Sequence, residues 1–92
     1  IKKRRKEMKK LFYLDERKNE LENLIYISDN HDTMLVTDDS IKLTVANGYI
    51  KLKKSGHSFN FSETTKHGLV VELIATMYED KKTIELETIV CL

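Results

Sequence analysis

The stretch TVANGYIKL, residues 44–52, constrains the fold of this chain more than any other. Asn and Gly suit the two central positions of a type I′ turn, where both residues need positive φ, and the flanking apolar residues fall at alternate places. A two-residue turn at Asn47 and Gly48 predicts a hairpin with Ala46 opposite Tyr49, Val45 opposite Ile50 and Leu43 opposite Leu52. A second such turn at Ser55 and Gly56 puts Leu52 opposite Phe59 and Ile50 opposite Phe61. A third, chemically the weakest, at Asp38 and Asp39 puts Val36 opposite Ile41 and Met34 opposite Leu43.

Directly opposed residues share a side of a sheet. The three turns therefore assign Met34, Val36, Ile41, Leu43, Val45, Ile50, Leu52, Phe59 and Phe61 to one face of a four-stranded antiparallel meander over residues 33–61. A slip of one residue at any turn would scatter these side chains over both faces, so the pattern specifies its own register. The opposite face then carries Leu35, Lys42, Thr44, Tyr49, Lys51, Lys53, Ser58 and Asn60, with no carboxylate among them.

The flanks read differently. Residues 2–27 contain no Gly or Pro and are rich in Lys, Glu, Arg and Leu, which predicts a helix. Leu11, Leu14, Leu21 and Ile25 fall at 3-4 spacing along it, broadened by Met8, Phe12 and Leu24, and form either a face that covers the sheet or an oligomer seam. Asp15 is also placed to cap a separate helix, leaving residues 1–13 as an arm. The polar run SDNHDT, residues 28–33, is turn chemistry and lacks the Gly and closing Glu of an EF-hand loop.

After the meander, Ser62 reads as an N-cap, and Val70, Leu73, Ile74 and Met77 keep helical spacing. The competing reading joins VVELIATMY through EDKK to TIELETIV as a hairpin. The final stretch, with Ile84 and Leu86 alternating with Glu85 and Glu87, reads as a strand in both versions. The expected fold is thus α+β in a single domain of 92 residues: a basic amphipathic helix over 1–27, the meander over 33–61, and a helix plus terminal strand over 62–92, packed as two layers.

Composition excludes several classes. No apolar run approaches the roughly 18 residues of a membrane helix, and the basic start is not followed by a signal-peptide core, so a cytoplasmic protein with no membrane partner is expected. The single cysteine, Cys91, rules out an internal disulfide or a Cys-based zinc site. Net charge is +1, but residues 1–10 hold seven Lys or Arg against Glu7. The basic character is concentrated at one end of the chain.

Signatures of catalysis are missing: there is no nucleophile elbow, Gly-rich phosphate loop or HExxH, and His31, His57 and His67 have no second ligand at metal spacing. The acidic pairs Asp38 with Asp39 and Glu79 with Asp80 read as turn formers. The expectation is a non-enzymatic protein with no catalytic residues, metal or small-molecule cofactor. Its candidate binding residues are the terminal cluster Lys2, Lys3, Arg4, Arg5, Lys6, Lys9 and Lys10, which suits phosphate contact, and the sheet-face set Lys42, Tyr49, Lys51 and Lys53. Together they predict a small regulatory or inhibitory protein that docks on nucleic acid, or on a complex that handles it, through the basic N-terminal helix. An expectation of another class is a protein–protein module without nucleic-acid contact, either self-associating through Leu11, Leu14, Leu21 and Ile25 or of the kind phage use to inhibit a host defence enzyme.

Overall fold

A computed structural model describes residues 5–18 and 23–91 of the chain. Eight strands follow one another: β1 (Arg5–Leu14), β2 (Leu24–Ser28), β3 (Thr33–Val36), β4 (Ser40–Val45), β5 (Gly48–Ser55), β6 (Ser58–Thr64), β7 (Val70–Met77) and β8 (Thr83–Cys91). Each pairs antiparallel with the next, and β8 returns to β1, closing an up-and-down barrel. The α+β expectation is therefore wrong: among the described residues the only helical piece is a 3-10 turn at Glu16–Lys18. Asp15 does act as a cap, but of this turn, its carboxylate accepting the Arg17 N–H at 3.1 Å.

Helix propensity misled at the N-terminus because it is a weak term. Lys and Glu favour helix over strand by a few tenths of a kcal/mol each. Burying Phe12 completely is worth about 2 kcal/mol. As a strand, β1 turns Phe12 into the barrel opposite Ile84 and Ser28 and packs Leu14 against the core, while Leu11 and Tyr13 face out. The expected seam is dispersed: Leu11 is exposed, Leu14 lies against the core, Ile25 stands opposite Leu35 in the β2–β3 ladder, and Leu21 lies outside the described residues.

The second helix is likewise replaced by strand. Leu73, Ala75 and Met77 point inward and Glu72, Ile74 and Thr76 outward, a period of two hidden in an apolar run short enough to fit either template. Gly68, at φ 82, belongs to the β6–β7 turn rather than to a helix start. The hairpin alternative is the one observed, with β7 and β8 joined through residues 78–82 and Ile84 and Leu86 facing in.

Residues 33–64 are strands, but they form four staves of the barrel rather than an open meander roofed by helices. The weakest turn signal gives the expected register, Val36 opposite Ile41 and Met34 opposite Leu43. The other two are displaced. Ala46 and Asn47 make the β4–β5 turn, with positive φ only at Gly48 (141°), so Leu43 faces Ile50 and Ile41 faces Leu52. Gly56 and His57 make the β5–β6 turn, so Lys54 faces Phe59. Each turn has moved by one residue and each register by two, which leaves every side chain on its expected side.

An eight-stranded barrel is just wide enough for side chains to fill. Phe12, Tyr26, Met34, Ile41, Leu52, Ala75 and Ile84 are wholly buried inside it, with Leu43, Phe59, Leu73 and Leu86 around them. Apolar side chains inside and Lys and Glu outside reverse the pattern of a membrane-spanning barrel. No helix of the described residues is long and apolar enough to cross a membrane.

The barrel is complete at only one end. β2 meets β1 only at Phe12, Tyr13 and Leu14, and β6 meets β5 only at Ser58, Phe59 and Asn60. Beyond those points β6, β7, β8 and β1 continue together, which elongates the molecule to 49 × 28 × 24 Å.

Candidate functional site

Closure of the barrel sorts its outer charges onto opposite walls. On β4, β5 and β6 the outward positions are Ser40, Lys42, Thr44, Tyr49, Lys51, Lys53, Ser55, Ser58, Asn60, Ser62 and Thr64, with no carboxylate. On β7, β8 and β1 they include Glu72, Glu85, Glu87 and Glu7, against Arg5 and Lys9. The eight staves place β4 and β5 across the barrel from β8 and β1.

Lys42 and Lys51 stand directly opposite each other in the β4–β5 ladder, and Lys53 is the next outward residue of β5. Like charges in this relation destabilise a sheet. No ion pair among the described residues involves any of the three. Tyr49, 59% exposed, occupies the diagonal position, and the Lys42 ammonium lies 4.0 Å from its ring centroid. A cation–π contact at an exposed site contributes about 0.5–1 kcal/mol.

The terminal basic cluster is a different environment. Lys2, Lys3 and Arg4 lie outside the described residues. As a strand, β1 divides the remainder between two sides, and carboxylates meet most of them. Arg5 Nε is 2.8 Å from Glu7, Lys10 Nζ is 2.6 Å from Asp32, and Lys9 stands opposite Glu87. Lys6 faces Val90 on the inner side. Thus, among the described residues, the structure does not bring the two predicted basic sets together, and it places carboxylates beside Arg5, Lys9 and Lys10 of the first.

A concavity opens at the complete end of the barrel. It encloses about 1090 Å³ over a floor of Leu24, Tyr26, Val36, Phe59 and Met77. Its rim alternates sign, with Asp38, Asp39 and Glu79 against Lys54 and Lys81. Sequence reasoning missed this cleft because the expected β5–β6 register gave Phe59 the partner Leu52, where the observed one sets Lys54 opposite Phe59. Tyr26 spans its floor, donating to the Lys81 carbonyl at 2.7 Å. Burial pushes the Tyr26 phenol above its ordinary pKa, and the Asp80 carboxylate adds to the shift.

His31, His57 and His67 sit in three separate turns, with His57 and His67 at opposite ends of β6. No group of three His, Cys, Asp or Glu side chains among the described residues is placed to hold a metal ion. No protein-family model, curated protein or solved structure matches this chain.

Proposed function

We propose that this chain is a non-enzymatic binding protein that engages single-stranded nucleic acid through the wall formed by Lys42, Tyr49, Lys51 and Lys53. One observation carries the reading: Lys42 and Lys51 are directly opposed, with no carboxylate on their wall. On the opposite wall the same chain sets Lys9 against Glu87. A sheet that breaks its own pairing rule in one place and obeys it in another holds the unpaired charge for a partner. Phosphates spaced along a flexible strand supply the missing anions, and the exposed ring of Tyr49 supplies a surface on which a base stacks. The basic terminal helix forms no part of this reading, since residues 5–14 are strand.

The test is a fluorescence-anisotropy titration of labelled single-stranded and duplex DNA and RNA at several salt concentrations. Three phosphate contacts give a slope of log K against log salt of about −2 for a single strand, and Lys51→Ala lowers its magnitude by about 0.7. Tyr49→Ala weakens binding by about 1–3 kcal/mol without changing that slope. Equal binding by the wild type and a Lys42→Ala/Lys51→Ala/Lys53→Ala chain would remove this wall from the function.

A further inference from the structure

The N-terminal part of β1 has a hydrogen-bonding edge that the barrel does not use. Its ladder with β8 runs unbroken from Arg5 opposite Cys91 to Tyr13 opposite Thr83, whereas β2 pairs with it only from Phe12 onward. The Leu14 N–H donates to the Lys82 carbonyl on the β8 side, and the Asp15 N–H donates to the Ile25 carbonyl on the β2 side. Peptide groups alternate in direction along a strand. Hence the N–H and C=O groups of Arg5, Glu7, Lys9 and Leu11 point away from β8, toward a side where no described strand pairs with them.

Two further features mark this edge as an interface. Among the described residues, three of the six exposed large apolar side chains lie on β1: Met8 (48%), Leu11 (37%) and Tyr13 (44%). Lysines normally guard an edge strand by repulsion, but here that guard is weakened. Arg5, Lys9 and Lys10 already have Glu7, Glu87 and Asp32 beside them.

We propose that β1 pairs antiparallel with β1 of a second copy, about a two-fold axis passing between the two Met8 residues. Charge selects this register. Edge-directed residues must pair with edge-directed residues, so symmetric pairings differ by steps of two. One step to either side opposes Glu7 to Glu7 or Lys9 to Lys9. The central register opposes Glu7 to Lys9 of the second copy twice and Lys6 to Lys10 twice, where Asp32 already holds Lys10, and it brings the two Met8 side chains together as a close, non-hydrogen-bonded pair. It also sets Arg5 of the second copy opposite Leu11, at a cleft of about 290 Å³ that Asp29 helps to line. The shared sheet then runs continuously through both barrels, and the lysine wall on β4 and β5 stays open in each copy. This inference goes beyond the nucleic-acid reading and does not depend on it.

Sedimentation velocity from micromolar to sub-millimolar concentration tests it. The wild type forms a concentration-dependent dimer. Glu7→Pro removes an N–H that has no partner inside the monomer, so the dimer is lost while circular dichroism still reports a folded barrel. Glu7→Lys and Lys9→Glu each weaken association about tenfold or more, and the doubly exchanged chain recovers to within about threefold of the wild type. Should Glu7→Pro fail to fold, Met8→Lys at the exposed centre of the pair abolishes the dimer instead. A protein that stays monomeric throughout, a dimer that survives Glu7→Pro in a folded chain, or a folded double exchange that fails to recover would each overturn the proposal.

Discussion

The phenol of Tyr26 hydrogen-bonds the backbone carbonyl of Lys81 across the complete end of the barrel, tying β2 to the β7–β8 turn over 55 residues of chain. The ring is wholly buried, while the bond itself is part-buried at the floor of the cleft.

Replacement by Tyr26→Phe is expected to cost about 1 kcal/mol of stability in urea unfolding at neutral pH, the worth of one part-buried hydrogen bond. The effect depends on pH in a defined sense. Burial, and then the Asp80 charge, raises the phenol's folded pKa above its ordinary 10.0. A raised pKa means that the folded state holds the proton more tightly. Its stabilisation is complete below pH 10 and is lost as pH rises through the folded value. The gap between wild type and Tyr26→Phe should therefore narrow in unfolding curves measured above pH 10, and a gap that widens would contradict the buried, neutral phenol.

Lys81 itself adopts φ 58, in the left-handed region that strains a side chain. Its bond to Tyr26 uses only the carbonyl, which any residue supplies. Lys81→Gly is expected to raise the unfolding free energy by about 0.5–1 kcal/mol, measured by thermal melting.

The β4–β5 turn separates two residues that look equivalent in sequence. Gly48 has φ 141 and Asn47 has no positive φ. Asn47→Ala is expected to change stability by less than about 0.5 kcal/mol, and Gly48→Ala to cost about 1–2 kcal/mol. Equal losses at both positions would restore the type I′ turn and the register that accompanies it.

Leu52 and Val45 share an inward alternation but differ in depth. Leu52 is fully buried in the barrel, whereas Val45 lies near the open end at 39% exposure. Leu52→Ala should cost about 2–5 kcal/mol and Val45→Ala under about 1 kcal/mol, as read from urea midpoints.

What the sequence disclosed was period rather than phase. Residues 34–61 alternate so regularly that the inner and outer faces survive two displaced turns: the β4–β5 turn moved one residue earlier and the β5–β6 turn one residue later. Turn preference decided only locally, and the packing of Ile41 on Leu52 and of Phe59 on Ala75 decided the rest. The Lys42, Tyr49, Lys51 and Lys53 face was therefore legible from parity alone.

β1 was not legible, because the residues that make it a strand lie far away. Phe12 is inward on account of Ile84, and Lys9 and Lys10 are met by Glu87 and Asp32, none of them visible as neighbours in sequence. A linear charge count therefore saw a free cationic arm where the fold has placed a strand with counter-ions. The cleft at the complete end was hidden for a related reason: its lining comes from four separate stretches, within residues 23–26, 36–39, 54–59 and 77–81, that only closure of the barrel brings together.

The pairing of β8 with both β7 and β1 has a consequence for synthesis. Residues 83–91 leave the ribosome after the other seven staves, yet two of those staves wait for them. Until they emerge, the nascent chain exposes Phe12, Leu73 and Ala75 to solvent beside two unsatisfied ladders. The last stave to be made is thus the keystone, and a stalled or prematurely ended translation product missing it would be a sticky substrate for chaperones rather than a smaller version of the same protein.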